Sequence, residues 1–291
     1  MPFNRMYEIA KAVLGDKTIK KIALKKIRHF NKDILSLLEP NKSLSNVAYR
    51  NRCFIIGNGP SISNMDLSYL ANESVFTCNY FAQSDQFLSL NPLAHFIMDT
   101  RFFLNENPDT SSPLQKTFNR CSEKKVKYLF LNSEVASRIS TYSIDKSIAI
   151  HFIAQNPNAS LENEINLCDY IPSFPTVIHS AIYTALYMGY KEIYLLGCDC
   201  TGFVSYASAH ESKPVSSNYG FKIDNASEKI INKNMTSDPI QQELRWYAQI
   251  FDDYEALNKA CLANNKVLIN LTKGGVLNSI PRKSYEEVIT K

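Results

Sequence analysis

A short apolar run that stops abruptly at glycine is the feature that most constrains the fold. Residues 53–56 read Cys-Phe-Ile-Ile, and Gly57, Asn58, Gly59, Pro60 and Ser61 follow at once. Such a run is typical of a central parallel strand that is covered on both faces. The two glycines allow a sharp turn close to a ligand, and the Pro-Ser pair suits the first turn of a helix. The pattern predicts a phosphate- or nucleotide-binding turn, with a plain strand-to-helix turn as the competing interpretation.

Similar apolar runs recur along the chain, and helix-length segments separate several of them. The clearest helical segments are 176–188 and 239–264. This alternation predicts an α/β fold with a Rossmann-like, wound and mostly parallel sheet. The remaining predicted strands are 75–78, 94–98, 128–131, 148–152, 193–196 and 267–271.

The first 50 residues differ from the rest of the chain. Residues 17–39 contain no Gly or Pro and repeat apolar residues at helical spacing, so we predict an amphipathic helix that ends at Pro40, then a polar linker over 41–51. Residues 51–291 form the predicted α/β domain. The polar face of the helix carries Lys17, Lys20, Lys21, Lys25, Lys26 and Arg28. It either packs on the body or on a partner subunit of a homo-oligomer, or meets anionic headgroups at the inner face of the cytoplasmic membrane.

Composition excludes several classes of protein. The formal net charge is only +4, and no zinc-finger, RNP-type or dense basic-aromatic motif accompanies it, so no nucleic-acid partner is predicted. Seven cysteines without a CxxC pair indicate reduced thiols in a cytoplasmic protein. Cys198-Asp199-Cys200 lacks a second ligand pair, so no metal site is predicted. The first residues do not have the pattern of a signal peptide, and no stretch approaches the roughly 18 apolar residues of a membrane span, so a cytosolic location is expected.

Polar residues follow the predicted strands at the points where they end. Asn79 follows the second strand, Asp99 the third and Asp199 the sixth. The carboxyl ends of parallel strands share one edge of a sheet, so we expect Asn79 and Asp99 to join Asn58 around a base and a ribose, and Asp199 to reach the same edge and take part in donor binding. Thr176 opens a helix that is apolar around most of its circumference. We expect Thr176 to cap the start of this helix and the N–H groups left free there to bind an anion. The alternative is Asn and Asp in ordinary turns.

A long segment without periodicity follows the sixth predicted strand. Residues 202–237 are rich in Ser, Asn, Lys and Gly. Long loops in compact domains are usually active-site lids or disordered insertions. Because this one begins where open α/β sheets place their ligands, we predict a lid.

Several of these motifs together resemble a known family. The GNGPS turn, Cys78-Asn79-Tyr80, the block from Thr176 through GYKEIYLLGCD and the later Ser-Tyr-Ala look like the sialyltransferases of glycosyltransferase family 42 from mucosal bacteria. They are equally similar to proteins of domain of unknown function 115, which include archaeal 6-hydroxymethylpterin diphosphokinases and flagellin-modifying nonulosonate transferases. The closing NLTKGGVLNSIPR resembles the second group more. The resemblance spans roughly residues 53–282.

The first family implies a variant of the GT-A fold and an inverting transfer from a CMP-activated sialic acid or related nonulosonate, with no obligatory metal or other cofactor. The acceptor would be a glycan, lipid-linked in some systems, in surface polysaccharide, lipopolysaccharide or O-antigen synthesis. By position, Asn58 and Asn79 would contact the cytidine nucleotide, Gly59 and Ser61 would shape its turn, and Thr176 would lie beside the donor. Tyr206 matches the tyrosine whose hydroxyl helps the phosphate leave.

This sequence departs from the family at the catalytic base. The family histidine falls near Ala248, its paired tyrosine on Thr201, and its third-strand asparagine on Met98 or Asp99. His210 is the histidine of the predicted lid, and its ordinary pKa suits proton transfer near neutral pH, so it is the first candidate base. The alternatives are Glu243, Asp252 and Asp253. His95 and His151 lie in apolar strands and are predicted core residues.

Two other functions remain open on the sequence. ATP-dependent pyrophosphate transfer would require Mg²⁺, for which Asp99 and Asp199 are the well-placed carboxylates. A nucleotide-binding assembly protein without catalysis is the third reading, because the expected histidine is missing.

Overall fold

The computed structural model describes residues 15–104, 112–161, 164–204, 219–223, 225, 227–229 and 240–290. Its centre is a seven-stranded, wholly parallel sheet in the order β5-β4-β3-β2-β1-β8-β9. The wound α/β fold predicted from the sequence is thereby confirmed. The strands of this sheet are β1 Arg52–Ile56, β2 Ser74–Cys78, β3 Ala94–Ile97, β4 Tyr128–Asn132, β5 Ala149–Ile153, β8 Glu192–Leu196 and β9 Val267–Asn270. Two short strands, β6 Gln155–Asn156 and β7 Ile171–Pro172, pair with each other.

Helices cover both faces of the sheet. Within the described residues they are α1 Asp16–Phe30, α2 Lys32–Leu38, α3 Asp85–Ser89, α4 Arg101–Leu104, α5 Pro113–Glu123, α6 Val177–Met188, α7 Ile240–Ala263 and α8 Tyr285–Ile289. In this part of the chain, no helix combines the length and apolar composition needed to cross a bilayer.

The core consists of two layers because side chains alternate along each strand. Phe54 and Ile56 of β1 point into one layer, which α5 covers with Leu114 and Phe118. Cys53 and Ile55 point into the other layer, which α6 and α7 cover. Ten of the twelve residues of α6 are buried, as its apolar composition predicts. All seven cysteines are free thiols.

The single helix predicted over 17–39 is wrong, because the chain breaks at Asn31. This residue has φ −111° and ψ 51°, which separates α1 from α2. Its side-chain amide donates to the Tyr170 hydroxyl at 3.3 Å. One turn earlier, Arg28 Nε donates to Asp169 Oδ1 at 2.8 Å. These contacts with the body of the protein stabilise the break.

The polar linker predicted over 41–51 is wrong in its first part. Asn41 is fully buried, and its Nδ2 donates to the carbonyl oxygens of Phe152 and Leu167, each at 2.8 Å. Leu44 is buried as well. Asn41 and Leu44 therefore anchor this segment in the packed body, while the residues between and after them are exposed or half-buried.

The strand order contains one reversal of direction, and it lies between β1 and β8. From β1 the chain adds strands on one side as far as β5, then returns to place β8 on the other side of β1. At such a point the loops leave neighbouring strands in opposite directions and open a crevice at the carboxyl edge. The Gly57–Ser61 turn follows β1 at this place.

Candidate functional site

A cavity of about 510 Å³ lies at the point where the strand order reverses. This is within the usual size range of small-molecule sites. Its walls come from the loops after β1 and β8, the start of α6, the start of α7 and Arg101. Among the predicted site residues it is lined by Gly57, Asn58, Gly59, Pro60, Thr176 and Asp199.

The glycines of the first turn allow two loops to touch each other. A Cβ on Gly59 would lie 1.9 Å from Asp199 Oδ2, and a Cβ on Gly57 would lie 2.5 Å from the Gly197 carbonyl oxygen. Gly59 has an ordinary extended backbone, with φ −63° and ψ 158°, so space and not backbone freedom requires glycine there. The Gly59 N–H donates to the Gly197 carbonyl at 2.8 Å. The turn is thus built into the neighbouring loop.

Asp199 holds this turn in place. Its Oδ2 accepts from the Ser61 hydroxyl at 2.8 Å, and its Oδ1 accepts from the Ser61 N–H at 3.2 Å. Burial raises the pKa of the Asp199 carboxyl, while the bonds from Ser61 lower it in part. The carboxylate lines the cavity, yet its hydrogen bonds serve the fold.

The helix predicted after the first turn is wrong. Pro60–Asn64 forms a single 3-10 turn of five residues. A segment this short adds little dipole, and the Ser61 N–H is already bonded to Asp199. An anion-binding helix start is therefore not found at the Gly57–Ser61 turn.

Two amide oxygens at the carboxyl edge are buried without a hydrogen-bond partner in the described part of the chain. They are Oδ1 of Asn58 and Oδ1 of Asn79. Asn58 lines the cavity directly, and Asn79 follows Cys78, which also lines it. A buried acceptor without a donor costs free energy, so a native protein normally supplies one from protein, water or ligand.

A buried histidine fixes the backbone of Asn79. This residue has φ +50°, a left-handed conformation that asparagine tolerates better than most residues. His95 Nε2 donates to the Asn79 carbonyl at 3.0 Å, and His95 Nδ1 accepts from the Thr77 hydroxyl at 2.8 Å. Burial lowers the pKa of His95 to about 4. The imidazole is thus a neutral support, as its apolar strand predicts; His151 is buried as well.

Thr176 does not cap α6, contrary to the prediction. Its hydroxyl bonds to His179 Nδ1 at 3.0 Å, and its side chain accepts from none of the first N–H groups of the helix. Burial lowers the pKa of His179 to about 3. Thr176, Val177 and Ile178 line the cavity. The start of a twelve-residue helix therefore faces the cavity without a side-chain cap.

Asp99 lies beside the cavity as part of an ion pair. Arg101 Nη2 approaches Asp99 Oδ2 at 2.8 Å, and the Arg101 N–H donates to Asp99 Oδ1 at 2.9 Å. Arg101 lines the cavity, whereas Asp99 is absent from its walls. A guanidinium in this position suits a phosphate. Arg101 was not predicted from the sequence, although a cation two residues after a strand-end aspartate was a usable signal.

The wall opposite the strands comes from the first turns of α7. Gln242, Glu243, Trp246 and Tyr247 line the cavity there. Glu243 was among the alternative bases, whereas the aromatic pair was missed; aromatic residues four or fewer positions from a candidate base were the available signal. Asp252 is exposed, and Asp253 Oδ1 accepts from Gln249 at 3.0 Å outside the cavity walls.

One described piece of the predicted lid covers the first turn. The Gly220 N–H donates to the Asn58 carbonyl at 2.9 Å, and a Cβ on Gly220 would lie 2.2 Å from Ile62. Tyr219 lines the cavity, and burial raises the pKa of its phenol. Tyr206 and His210 lie outside the described residues, so their roles stay predictions.

The C-terminal motif supports Asp199 from the other side. The Val276 N–H donates to the Asp199 carbonyl at 2.8 Å, and a Cβ on Gly275 would lie 2.6 Å from the same oxygen. Arg282 donates to the carbonyls of Thr272, Gly274 and Leu277. NLTKGGVLNSIPR thus forms a loop that holds the turn after β8. No cluster of three or more His, Cys, Asp or Glu suited to a metal occurs within the described ranges.

Comparisons with known proteins gave structural similarity alone. No family model matches the chain. No curated protein matches it either. The sialyltransferase CstII from Campylobacter jejuni, in complex with the substrate analogue cytidine-5'-monophosphate, is similar with 20% identity, a TM-score of 0.46, and coverage of 81% of this chain and 86% of that one. The sialyltransferase CST-II in complex with a trisaccharide acceptor and CMP gives 21% identity, a TM-score of 0.45, and coverage of 79% and 84%.

Proposed function

We propose that this protein is a glycosyltransferase that moves a sialic acid or related nonulosonate from a CMP-linked donor to a glycan acceptor with inversion. The observation that carries the proposal is the pair of buried oxygens on Asn58 and Asn79 that find no hydrogen-bond partner among the described residues. A cytosine amino group and the ribose hydroxyls are donors that would satisfy them. The motifs around these residues are the ones that resemble glycosyltransferase family 42.

The phosphate of the donor would lie between Arg101 and the start of α6. Thr176 does not cap the first N–H groups of α6, and Arg101 lines the same cavity. Together they would supply hydrogen bonds and positive potential to the charge that develops on the leaving CMP. Tyr206, by its resemblance, would donate to the same phosphate.

The transfer itself is a single displacement. An acceptor hydroxyl oxygen attacks the anomeric carbon, the bond from that carbon to the phosphate oxygen breaks, and its electron pair leaves with CMP. The hydroxyl proton passes to a base. His210 is the candidate from the lid, and Glu243 is the candidate that the cavity wall presents. Replacing each in turn (His210→Ala, Glu243→Gln) separates them, because only loss of the base removes the ionisation from the pH–rate profile.

A magnesium-dependent pyrophosphate transfer receives less support. Its two candidate carboxylates are already bonded within the protein, Asp99 to Arg101 and Asp199 to Ser61. Turnover of a CMP-sugar that persists in EDTA would separate the two reactions.

The first test is binding. We expect CMP to raise the melting temperature more than CDP, UDP, GDP or ATP in a thermal-shift panel. Asn58→Ala should weaken CMP binding by about tenfold or more, since it removes a buried acceptor. Asn51→Ala, at the opposite edge of the sheet, is the matched control and should leave binding unchanged.

The second test is turnover. Purified protein is incubated with CMP-N-acetylneuraminic acid and galactose-terminated acceptors while released CMP is measured. Release that depends on the acceptor supports the transferase. If no CMP-nonulosonate is turned over and ATP binds more tightly than CMP, the proposal is wrong. An acceptor in surface polysaccharide or lipopolysaccharide synthesis, free or lipid-linked, follows from the resemblance and is tested with the same assay.

A further inference from the structure

The net positive charge of this protein is concentrated in α1. Its fifteen residues contain six Lys or Arg and one Asp, a net charge of +5. The whole chain carries +4, so all other residues together carry −1. The excess positive charge of the protein therefore lies on one helix.

The two sides of α1 meet different surroundings. Leu24 is buried against the body, and Arg28 is tied to Asp169. Lys20 pairs along the helix with Asp16 at 3.0 Å. Arg28 and Lys20 are thus each paired with a carboxylate of the protein. The outward side is exposed and carries Lys21, Lys25, Lys26 and His29.

Two large apolar side chains accompany these exposed cations. Ile22 is 46% exposed and lies among the lysines, and Phe30 is 80% exposed at the end of the helix. Both side chains lie on the outward face with the cations, so this face combines positive charge with exposed apolar surface. Cations that flank apolar side chains on a helix lying flat on a protein are typical of binding in the headgroup region of a membrane.

We propose that the outward face of α1, defined by Lys21, Ile22, Lys25, Lys26, His29 and Phe30, docks the protein on a bilayer that contains anionic lipids. The lysines would meet the headgroups, while Ile22 and Phe30 would enter the boundary with the acyl chains. The contact of Arg28 with Asp169 holds α1 on the body, so the whole protein is oriented by the contact. The inference does not depend on the reaction catalysed.

A membrane fits this surface better than a nucleic acid. A phosphodiester backbone attracts cations but offers no apolar contact for Ile22. A bilayer with anionic lipids offers both an attraction for the cations and an apolar phase for Ile22. The apolar pair therefore predicts a part of the binding that salt does not remove.

The test is co-sedimentation of the full chain with vesicles. We expect binding to phosphatidylcholine vesicles that contain phosphatidylglycerol and little binding to phosphatidylcholine alone. Lys21→Glu, Lys25→Glu and Lys26→Glu together should weaken binding by at least about 100-fold, since each surface lysine contributes roughly fivefold. Phe30→Ser should weaken it by about tenfold, and this loss should persist at high salt.

A triple variant of equal charge change is the control. Lys146→Glu, Lys191→Glu and Lys283→Glu replace exposed lysines in loops away from α1. This variant should bind vesicles within about twofold of the parent. Circular dichroism and CMP binding check that each variant is folded. Equal loss in both triple variants would show a net-charge effect and overturn the proposal. So would absence of binding to anionic vesicles, or tight binding to duplex RNA that Phe30→Ser does not change.

Discussion

The two ends of β1 and β8 carry hollows of opposite character. At the amino ends, a hollow of about 820 Å³ is lined by Arg50, Arg52, Glu73 and Tyr194, among others. At the carboxyl ends, the cavity is smaller, about 510 Å³. Volume alone would favour the amino ends.

Hydrogen bonding distinguishes the two ends. At the amino end, Arg52 donates twice to Glu73 Oε1, at 3.0 and 2.6 Å, and once to the Val288 carbonyl at 3.1 Å. The Tyr194 hydroxyl donates to Glu192 at 2.6 Å. At the carboxyl end, Asn58 and Asn79 keep buried oxygens without a partner among the described residues. A surface that satisfies its own polar groups has little to offer a ligand.

The largest expected effect on CMP binding comes from filling the space at Gly59. Gly59→Ala places a methyl group 1.9 Å from Asp199 Oδ2, so the loops after β1 and β8 must separate. We expect CMP binding to be lost and stability to fall by about 3 kcal/mol. Isothermal titration and urea unfolding measure the two effects.

Gly274→Ala is the matched control for this change. Nothing lies within 4 Å of an added Cβ there, and only the positive φ of +77° opposes it. We expect a cost of about 1 kcal/mol and unchanged CMP binding. Intact CMP binding in Gly59→Ala would show that the turn after β1 does not form the nucleotide site.

Acid should destabilise the folded protein through its buried histidines. Burial lowers the pKa of His95 and His151 to about 4 and that of His179 to about 3. In the unfolded chain these residues have a pKa near 6.5. Below that pH the unfolded state therefore binds more protons than the folded state. Stability is therefore full above about pH 6.5 and falls towards pH 4, by about 1.4 kcal/mol per pH unit for each histidine.

Urea unfolding at several pH values between these limits measures that slope. His95→Gln should reduce it by about one proton and keep a donor for the Asn79 carbonyl. Asp199 acts in the opposite sense, because its raised pKa favours the folded state as pH falls. An unchanged slope in His95→Gln would show that this histidine is already charged in the folded protein.

The smallest expected effect on CMP binding is at the amino edge. Arg52→Met removes three hydrogen bonds and leaves Glu73 partly buried without its partner. We expect a loss of about 2 kcal/mol in urea unfolding and no change in CMP affinity. Recovery of stability in Arg52→Met with Glu73→Met would confirm that the unpaired carboxylate causes the loss. A clear change in CMP affinity would instead show that the amino edge takes part in nucleotide binding.

Most strands of the fold were predictable because each is short, apolar on both faces and stopped by a polar or glycine residue. The residues after them were predictable as neighbours, since parallel strands end at one edge. The hydrogen-bond partners of these residues were not predictable from the sequence. Asp199 bonds to a serine 138 positions earlier in the chain, and no local pattern encodes that distance.

Local signals failed where tertiary contacts compete with them. The apolar periodicity continues past Asn31, yet α1 ends there. The Asn31 side chain bonds to Tyr170, and Arg28, one turn earlier, bonds to Asp169. Thr176 is a good cap by residue type, but its hydroxyl bonds to the buried His179 instead. Arg101 was missed because α4 is only four residues long and has no periodicity to detect.

The sequence by itself determined the order of strands and helices, the place of the turn after β1 and the residues that reach the carboxyl edge, because these depend on local polarity and on the geometry of parallel strands. Only the tertiary structure decided what those residues do. It turned Asp199 inward to hold Ser61, used the glycines to bring two loops together, and left the oxygens of Asn58 and Asn79 without a partner in the described chain. The physical reason is that a hydrogen bond depends on which groups meet in space, and residues far apart in sequence meet only after the sheet has formed.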